Sequence, residues 1–197
     1  MIIGITGSIG SGKSTVAKIF SKYRYNRIDA DEISHQLMNK DSETYDKIVL
    51  EFGSEILDKD KNIVRPKLGD LVFNDIKKLK KLNKIMHPLI LKEIKNKIIH
   101  IQKRFQDKTK IVIDTPLLLE TKTKNLVDKV VVIKANKNKI IKRNKKFSKK
   151  QIERILKNQM PLDEKIKYAD FVIENNQDLN HLEIQVKNII KAIEKIK

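Results

Sequence analysis

The chain has 197 residues, with 43 Lys and Arg, 25 Asp and Glu, and no cysteine. The absence of cysteine excludes disulfides, thiolate metal sites and a catalytic thiol, and no apolar stretch approaches the ~18 residues of a membrane span. The formal charge of +18 admits polyanion binding, but lysine is spread over the whole sequence and aromatic residues are few, which favours a compositional bias. We therefore expect one cytoplasmic domain without a cleavable leader, and neither a nucleic-acid nor a membrane partner.

The first predicted element is a short apolar strand, Ile2–Thr6, that leads into a glycine-rich loop. Residues 7–14 read Gly-Ser-Ile-Gly-Ser-Gly-Lys-Ser and match the pattern G-x-x-x-x-G-K-[ST], with a helix predicted directly after them. The glycines let backbone N–H groups face a phosphate, Lys13 reaches the β- and γ-phosphates, and the Ser14 hydroxyl binds Mg²⁺. The loop predicts a site for a nucleoside triphosphate with Mg²⁺, against the alternative of a glycine-rich turn that binds nothing.

Asp31 follows a second short strand that is predicted to end near Ile28. Open α/β sheets bind their ligands at the carboxyl ends of the strands, so this aspartate is a candidate catalytic residue. Asp31 also begins a predicted helix, where an aspartate commonly caps the first turn. Capping and catalysis are compatible, and from the residues alone capping is the more frequent role.

Residues 40–108 are predicted to be helical, without a clear strand. One apolar face predicts a helix that ends at Gly53, and apolar residues at helical spacing predict another helix over Leu68–Leu79. Pro88 suits the first turn of a further helix, whose apolar stripe is more often core than a partner surface. A helical insertion, about 31–108, therefore separates the second strand from the third.

Three further strands are predicted, Lys110–Asp114, Val130–Ile133 and Phe171–Ile173, and a final amphipathic helix closes the chain. Nearly continuous apolar runs are typical of parallel strands that are buried on both faces. Strands alternate with helices, and a phosphate loop follows the first strand. This order predicts an α/β fold with a doubly wound parallel sheet of five strands.

Asp114 stands at the end of the third predicted strand. An apolar run that ends in Asp is typical of the acidic residue that assists Mg²⁺ in nucleotide-phosphate sites. Because Pro116 follows two residues later, Asp114 is equally compatible with a turn. Both interpretations, a metal-assisting residue and a turn residue, remain open at this point.

A basic stretch, Lys139 to Lys150, follows the fourth strand. One interpretation is a solvated surface, which is the usual role of such a run. The other is a lid, about 137–160, that closes over phosphates. Ser148 and Gln151 have capping-box spacing, so a helix is predicted to run from there to about residue 159.

Several segments, taken together and in this order, resemble the dephospho-CoA kinase family over nearly the whole chain. The phosphate loop alone is generic, whereas the combination is specific. The matching segments are Thr6 to Ser14, Ile28-Asp29-Ala30-Asp31, Leu82-Asn83 with His87-Pro88-Leu89-Ile90, Pro116-Leu117-Leu118 with Glu120, Gln159-Met160-Pro161, Ala169-Asp170 and Ile173-Glu174-Asn175.

The resemblance implies a function and an organisation. Enzymes of this family phosphorylate the ribose 3′-hydroxyl of dephospho-CoA with ATP and Mg²⁺, which completes coenzyme A. Their fold is a P-loop kinase core with a helical substrate-binding part and a lid. By this resemblance the chain is a single kinase domain, with the core at 1–30 and 109–197, the acceptor-binding insertion at about 31–108 and the lid at about 137–160.

The resemblance also implies roles for individual residues, with Asp31 as the base or hydroxyl orienter, Arg143 as a lid arginine and Arg65 in the substrate-binding part. Lys139 stands where the family often has another lid arginine, and a lysine keeps the charge but lacks the bidentate fork. The candidate catalytic residues are Asp31, Lys13 and Arg143. The candidate ATP-binding residues are Gly7, Ser8, Ile9, Gly10, Ser11, Gly12, Lys13, Ser14, Thr15 and Asn175. The candidate substrate-binding residues are Asp31, His35, Arg65 and His87, and the candidate Mg²⁺ residues are Ser14 and Asp114.

Two other functions are compatible with parts of this pattern. Another small-molecule or nucleotide P-loop kinase would share the loop and the lid, but not Asp31 together with the His87-Pro88 segment. A basic nucleic-acid-binding NTPase would need a concentrated basic surface with aromatic residues, and the basic residues here are diffuse. The sequence does not predict an oligomeric state.

Overall fold

The structure is a computed structural model that describes residues 1–105, 109–144 and 148–195. Residues 106–108 of the predicted insertion and residues 145–147 of the predicted lid lie outside the described residues. The chain divides into two compact units, one formed by Met1–Asp29 with Ile98–Lys197 and the other by Ala30–Lys97. In the described part of the chain, no helix is both long and apolar enough to cross a membrane.

The first unit is built on a five-stranded sheet with the strand order β2-β3-β1-β4-β5. The strands are β1 (Ile2–Gly7), β2 (Asn26–Asp29), β3 (Ile111–Asp114), β4 (Lys129–Lys134) and β5 (Phe171–Glu174). Every neighbouring pair is parallel, which confirms the predicted fold class. Ile5 of β1 lies opposite Asp114 of β3 and Val131 of β4, so the phosphate loop leaves the sheet from its middle strand.

Helices make up most of the remaining described chain, and they are numbered here in chain order. They are α1 (Lys13–Lys22), α2 (Ala30–Leu37), α3 (Glu43–Phe52), α4 (Arg65–Phe73), α5 (Ile76–Phe105), α6 (Lys137–Arg143), α7 (Lys149–Lys157), α8 (Leu162–Lys167) and α9 (Leu179–Lys195). The predicted capping box at Ser148 and Gln151 is present at the start of α7.

The core of the first unit lies between the sheet and helices α1 and α9. Alternate strand residues such as Ile3 and Ile5 share one face of the sheet, because side chains on a strand alternate between the two faces. Phe20 of α1 and Val186 of α9 pack against this face and are fully buried. Each such side chain contributes roughly 1.5–3 kcal/mol through burial, so this packing fixes α1 directly behind the phosphate loop.

The second unit has its own apolar core, formed by α3, α4 and α5. Buried side chains from these helices and from the short turn at Ser54–Ile56 form this core. They are Ile48, Phe52, Ile56, Leu68, Val72, Leu79 and Met86. An isolated antiparallel bridge joins Leu57 to Ile63 and closes the turn between them. The unit therefore buries an apolar face of each of its longer helices.

The helix boundaries around Pro88 differ from the prediction. The apolar run over Leu68–Leu79 is split between α4 and α5, because the Asp75 carboxylate accepts the backbone N–H groups of Lys77 and Lys78 and so starts a new helix. Pro88 lies inside α5 and does not begin a helix. A proline in a helix removes one backbone hydrogen bond, and α5 continues through it because Met86 and Ile94 on either side are buried.

The short helix α8 was not predicted from the sequence. It follows Pro161 and contains Lys165, whose side chain is fully buried. The Lys165 Nζ atom donates to the carbonyl of Pro116 at 2.6 Å and pairs with the Glu120 carboxylate at 2.8 Å. The same carboxylate accepts the backbone N–H of Met160 at 3.0 Å. A buried ion pair therefore ties the end of α7 and the start of α8 to the turn after β3.

Candidate active site

The phosphate loop has the backbone that its glycines predict. Gly12 caps the N-terminus of α1 in the left-handed conformation, with φ +98°, and a Cβ atom there would lie 2.1 Å from the Asn175 Nδ2 atom. Gly7 has φ +147°, and a Cβ atom would lie 2.4 Å from the carbonyl oxygen of Ile133. No side chain caps α1 in the described structure. The positive end of the helix dipole at this terminus favours an anion bound there.

Lys13 and Ser14 present the two functional groups that the loop pattern predicts. The Lys13 side chain is buried along the loop, and its Nζ atom donates to the carbonyl of Ser8 at 2.9 Å. Ser14 and Thr15 are exposed in the first turn of α1. The ammonium group is thus held beside the loop, while the Ser14 hydroxyl is open to a ligand from solvent.

Asn175 connects the phosphate loop to α6. It directly follows β5 and is buried, and its Nδ2 atom donates to the carbonyl of Ser11 at 2.8 Å. Arg143, the last residue of α6, donates from Nη1 to the Asn175 carbonyl at 3.0 Å and from Nη2 to the Asn175 Oδ1 atom at 3.3 Å. The structure thus brings together a predicted lid arginine, a predicted ATP-binding residue and the loop itself.

Asp114 carries an ion pair that its sequence context does not predict. The Arg27 guanidinium donates from Nη2 to the Asp114 Oδ2 atom at 2.7 Å and also pairs with Asp29. Asp29 and Asp114 lie side by side in the β2–β3 ladder. The sequence does indicate the contact between Arg27 and Asp29, because residues two apart on a strand share one face.

The described residues contain no group of three or more His, Cys, Asp or Glu side chains that could hold a metal ion. Magnesium usually takes one or two protein ligands and completes its octahedron with water and substrate phosphates. The exposed Ser14 hydroxyl at the uncapped end of α1 suits that mode of binding, since it is an oxygen donor next to the expected phosphates.

Within the second unit, three of the predicted acceptor-side residues share one electrostatic environment. Asp31 is the second residue of α2 and is exposed, so it stands inside the first turn and not at the capping position before it. The His35 Nδ1 atom lies 3.4 Å from the Arg65 Nη1 atom. Burial lowers the pKa of Arg65, and the negative charge of Asp31 partly opposes that shift.

His87, the fourth residue predicted to bind substrate, is half-buried within α5 and directly precedes Pro88. A carboxylate, an imidazole and a guanidinium together can orient a hydroxyl group and bind an anionic group, because they combine acceptors with charged donors. The Asp31, His35 and Arg65 side chains supply that set.

Comparison with known proteins gives a family and a fold. A sequence model described as dephospho-CoA kinase matches residues 1–181. The dephospho-CoA kinase of Aquifex aeolicus is 40% identical over 195 residues, which cover 97% of this chain and 96% of that protein. The dephospho-CoA kinase of Lactobacillus johnsonii is also 40% identical over 195 residues and covers 97% of each chain.

Solved structures show the same similarity. The dephospho-CoA kinase of Campylobacter jejuni superposes with a TM-score of 0.70 at 30% identity, over 98% of this chain and 97% of that one. The shikimate kinase of Acinetobacter baumannii superposes with a TM-score of 0.56 at 13% identity, over 100% of this chain and 94% of that one. The second similarity concerns the fold alone.

Proposed function

The chain belongs to the dephospho-CoA kinase family, and we propose from that premise that it transfers the γ-phosphoryl group of ATP to the ribose 3′-hydroxyl of dephospho-CoA. The observation that carries the proposal is the family match over residues 1–181. The phosphate loop supports the donor side, because a Cβ atom at Gly7 or Gly12 would clash with a neighbouring atom and both residues have positive φ. Coenzyme A and ADP would be the products.

On the donor side, the loop amides and the Lys13 ammonium bind the β- and γ-phosphates. Lys13 exchanges its hydrogen bond with the Ser8 carbonyl for one with a phosphate oxygen, which is a stronger, charge-assisted bond. Ser14 would hold Mg²⁺ through its hydroxyl, and Asp114 remains a predicted second residue for this ion. When bound, the ion neutralises the charge on the transferring phosphate.

On the acceptor side, Asp31 accepts a hydrogen bond from the 3′-hydroxyl and takes its proton as the bond to phosphorus forms. A ribose hydroxyl is a weak acid, so its orientation precedes and outweighs its deprotonation. Arg65 and His35 lie in the same environment as Asp31 and would bind the anionic part of the acceptor. A substrate contact of His87 stays a prediction.

Arg143 stabilises the transferring group, since its guanidinium spreads several donors over the phosphoryl oxygens. An arginine in this role is worth about 10³-fold or more in the rate of other phosphoryl-transfer enzymes. We also propose that α6 and α7 act as the lid and keep water away from the γ-phosphate. The part of the predicted lid at 145–147 lies outside the described residues.

The decisive experiment is mass spectrometry of the acceptor after incubation of the purified chain with Mg-ATP and dephospho-CoA. We expect a product that is heavier by one phosphate, and none with Lys13→Ala or with EDTA. Shikimate and a nucleoside monophosphate serve as alternative acceptors. Folded protein that phosphorylates one of them, and not dephospho-CoA, would contradict the proposal.

Two further properties remain predictions from the sequence. A cytoplasmic location would be checked by fractionation of cells that produce the tagged chain. The absence of a nucleic-acid partner would be checked by ATP hydrolysis with and without added RNA or DNA, since stimulation by the polymer is expected only of a nucleic-acid-dependent NTPase.

A further inference from the structure

The side-chain amide of Asn175 is engaged by the protein on both of its polar atoms. Nδ2 donates to the Ser11 carbonyl at 2.8 Å, and Oδ1 accepts from the Arg143 guanidinium at 3.3 Å. The amide has only one orientation that satisfies both, because a carbonyl needs a donor and a guanidinium needs an acceptor. Asn175 is 6% exposed, so little of it is left for a ligand.

Arg143 is held at two points of the same residue and keeps donors to spare. Its Nη1 and Nη2 atoms bond the carbonyl and the Oδ1 atom of Asn175. A guanidinium has five N–H donors in a rigid plane, and in the described part of the chain two of the five are used in this way. Two contacts in one plane fix the orientation of the whole group, and the remaining donors stay available because Arg143 is exposed.

The helix that carries Arg143 also rests directly on the phosphate loop. A Cβ atom at Gly10 would lie 3.2 Å from the carbonyl oxygen of Ile140 in α6. Ile9 packs against the small apolar cluster that Ile140 and Ile152 form with Ala135. The position of α6 is therefore set by the loop through packing, and its last residue is set by Asn175 through hydrogen bonds.

We infer that Asn175 is a positioning residue for Arg143, and that it acts on phosphoryl transfer through this arginine rather than by a direct contact with ATP. The inference rests on the proposed kinase function and adds to it a second role for the residue that follows β5. Asn175 links the loop that binds the donor phosphates to the arginine that stabilises their transfer, so both are aligned before ATP arrives.

A double-mutant cycle separates positioning from direct ATP contact. At saturating ATP, Asn175→Ala should lower kcat about tenfold or more in the wild-type background, and by no more than about twofold in the Arg143→Ala background, because the residue it positions is then gone. Multiplicative losses would contradict the inference, since a direct contact would act in both backgrounds. Asn96→Ala, an exposed asparagine on α5, is the matched control and should leave kcat unchanged.

A conservative variant distinguishes the two hydrogen bonds of the amide. Asn175→Asp retains an acceptor for Arg143 and loses the donor to the Ser11 carbonyl. We expect its kcat at saturating ATP to stay within about threefold of the wild type. A loss as large as that of Asn175→Ala would assign the effect to the loop contact and overturn the positioning role. Asn175→Asp also covers the case in which Asn175→Ala fails to fold.

The mobility of the Arg143 side chain can be measured without any turnover. In protein labelled with ¹⁵N-arginine, we expect the Nε–H signal of Arg143 to be ordered in the nucleotide-free wild type and in Asn175→Asp, and mobile in Asn175→Ala. Equal order in all three proteins would refute the inference. If the wild type makes no coenzyme A, the proposed function fails, whereas this measurement still decides whether Asn175 holds Arg143.

Discussion

Asp31 is the residue on which the proposed proton transfer depends. It is exposed in the first turn of α2, where the helix dipole favours a negative charge. Burial lowers the pKa of the Arg65 guanidinium, and the charge of Asp31, which interacts with that group, partly opposes the shift. Asp31→Asn keeps the size and one acceptor oxygen but cannot accept the proton. We expect kcat to fall by about 10²–10⁴-fold, with the Kd of ATP unchanged, as measured by steady-state kinetics and calorimetry.

The neighbouring carboxylate on the same helix turn provides the control for this substitution. Glu32→Gln removes a charge from the first turn of α2 and should leave kcat within about twofold of the wild type, because no role in proton transfer is proposed for it. If Asp31→Asn turned over as fast as Glu32→Gln, Asp31 would be a structural residue of the helix start and not the base.

Tyr25 gives the first unit a defined response to alkaline pH. Burial, with a smaller contribution from Glu194, raises the pKa of its phenol to about 12. Between about pH 10 and 12 the phenol therefore ionises in the unfolded chain only, so the unfolded state is favoured as the pH rises. Below pH 10 the phenol is protonated in both states and contributes its full stabilisation.

Replacement of Tyr25 by phenylalanine tests whether stability falls with rising pH because of this phenol. The ring still packs edge-to-face on Phe20, whose centroid is 5.1 Å away, but the titrating group is gone. Urea unfolding at pH 9 to 12 should show a steeper loss of unfolding free energy for the wild type, by at most about 1.4 kcal/mol per pH unit, the limit for one proton. Parallel curves for the two proteins would refute the assignment.

At the scale of the elements, the residue that α8 buries is a lysine in an ion pair. Lys165 is fully buried against Glu120 and the carbonyl of Pro116. Lys165→Met removes one partner of a buried pair. Glu120 then keeps its charge without a partner lysine, although its side chain is only 19% exposed. We expect the free energy of unfolding in urea to fall by about 3 kcal/mol.

An exposed lysine on the same helix provides the comparison. Lys167→Met removes an ion pair with Glu164 at the surface, and such pairs are screened by water, so stability should hardly change. Equal effects of the two substitutions would mean that the buried pair contributes no more than a surface pair. The measurement then decides whether the turn after β3 anchors α8.

The elements that were predicted correctly are those whose signals are local. Four of the five strands contain runs of apolar residues, with β2, in which only Ile28 is apolar, as the exception. The loop pattern, Gly53 and the Ser148 capping box act within a few residues. Two of the misses share one physical cause, whereas the break between α4 and α5 follows from the local cap by Asp75. A helix through Pro88 and a helix whose buried residue is Lys165 both depend on partners distant in sequence, which overrule local preference.

The residues of the candidate site show the same distinction between local signals and partners that are distant in sequence. Lys13, Ser14 and Asp31 could be named as candidates from the sequence because the roles proposed for them follow from an adjacent loop or strand end. The pairs Arg27–Asp114 and Arg143–Asn175 join residues that are far apart along the chain. No periodicity encodes such contacts, so the resemblance could assign Arg143 and Asn175 separately but could not indicate that they bond to each other.

At the scale of the whole molecule, the dominant feature is charge. The 43 basic and 25 acidic residues leave a formal net charge of +18. Surface ion pairs such as Lys47–Glu43 contribute little each, whereas the uncompensated charges repel one another over distances comparable with the Debye length, about 10 Å at 0.1 M salt. Repulsion among like charges destabilises the compact state relative to the expanded one.

Salt should therefore stabilise this protein, although it weakens the individual ion pairs. We expect the free energy of unfolding in urea to rise by about 1 kcal/mol when sodium chloride is raised from roughly 0.02 to 0.3 M, because screening shortens the range of the repulsion. Sucrose at equal osmolarity controls for solute exclusion from the surface. A fall in stability with salt would mean that attractive pairs outweigh the net charge, and an equal rise with sucrose would attribute the effect to exclusion. Titration with ATP must be kept separate, since a tetra-anion that binds the phosphate loop stabilises the folded state by mass action even where screening is complete.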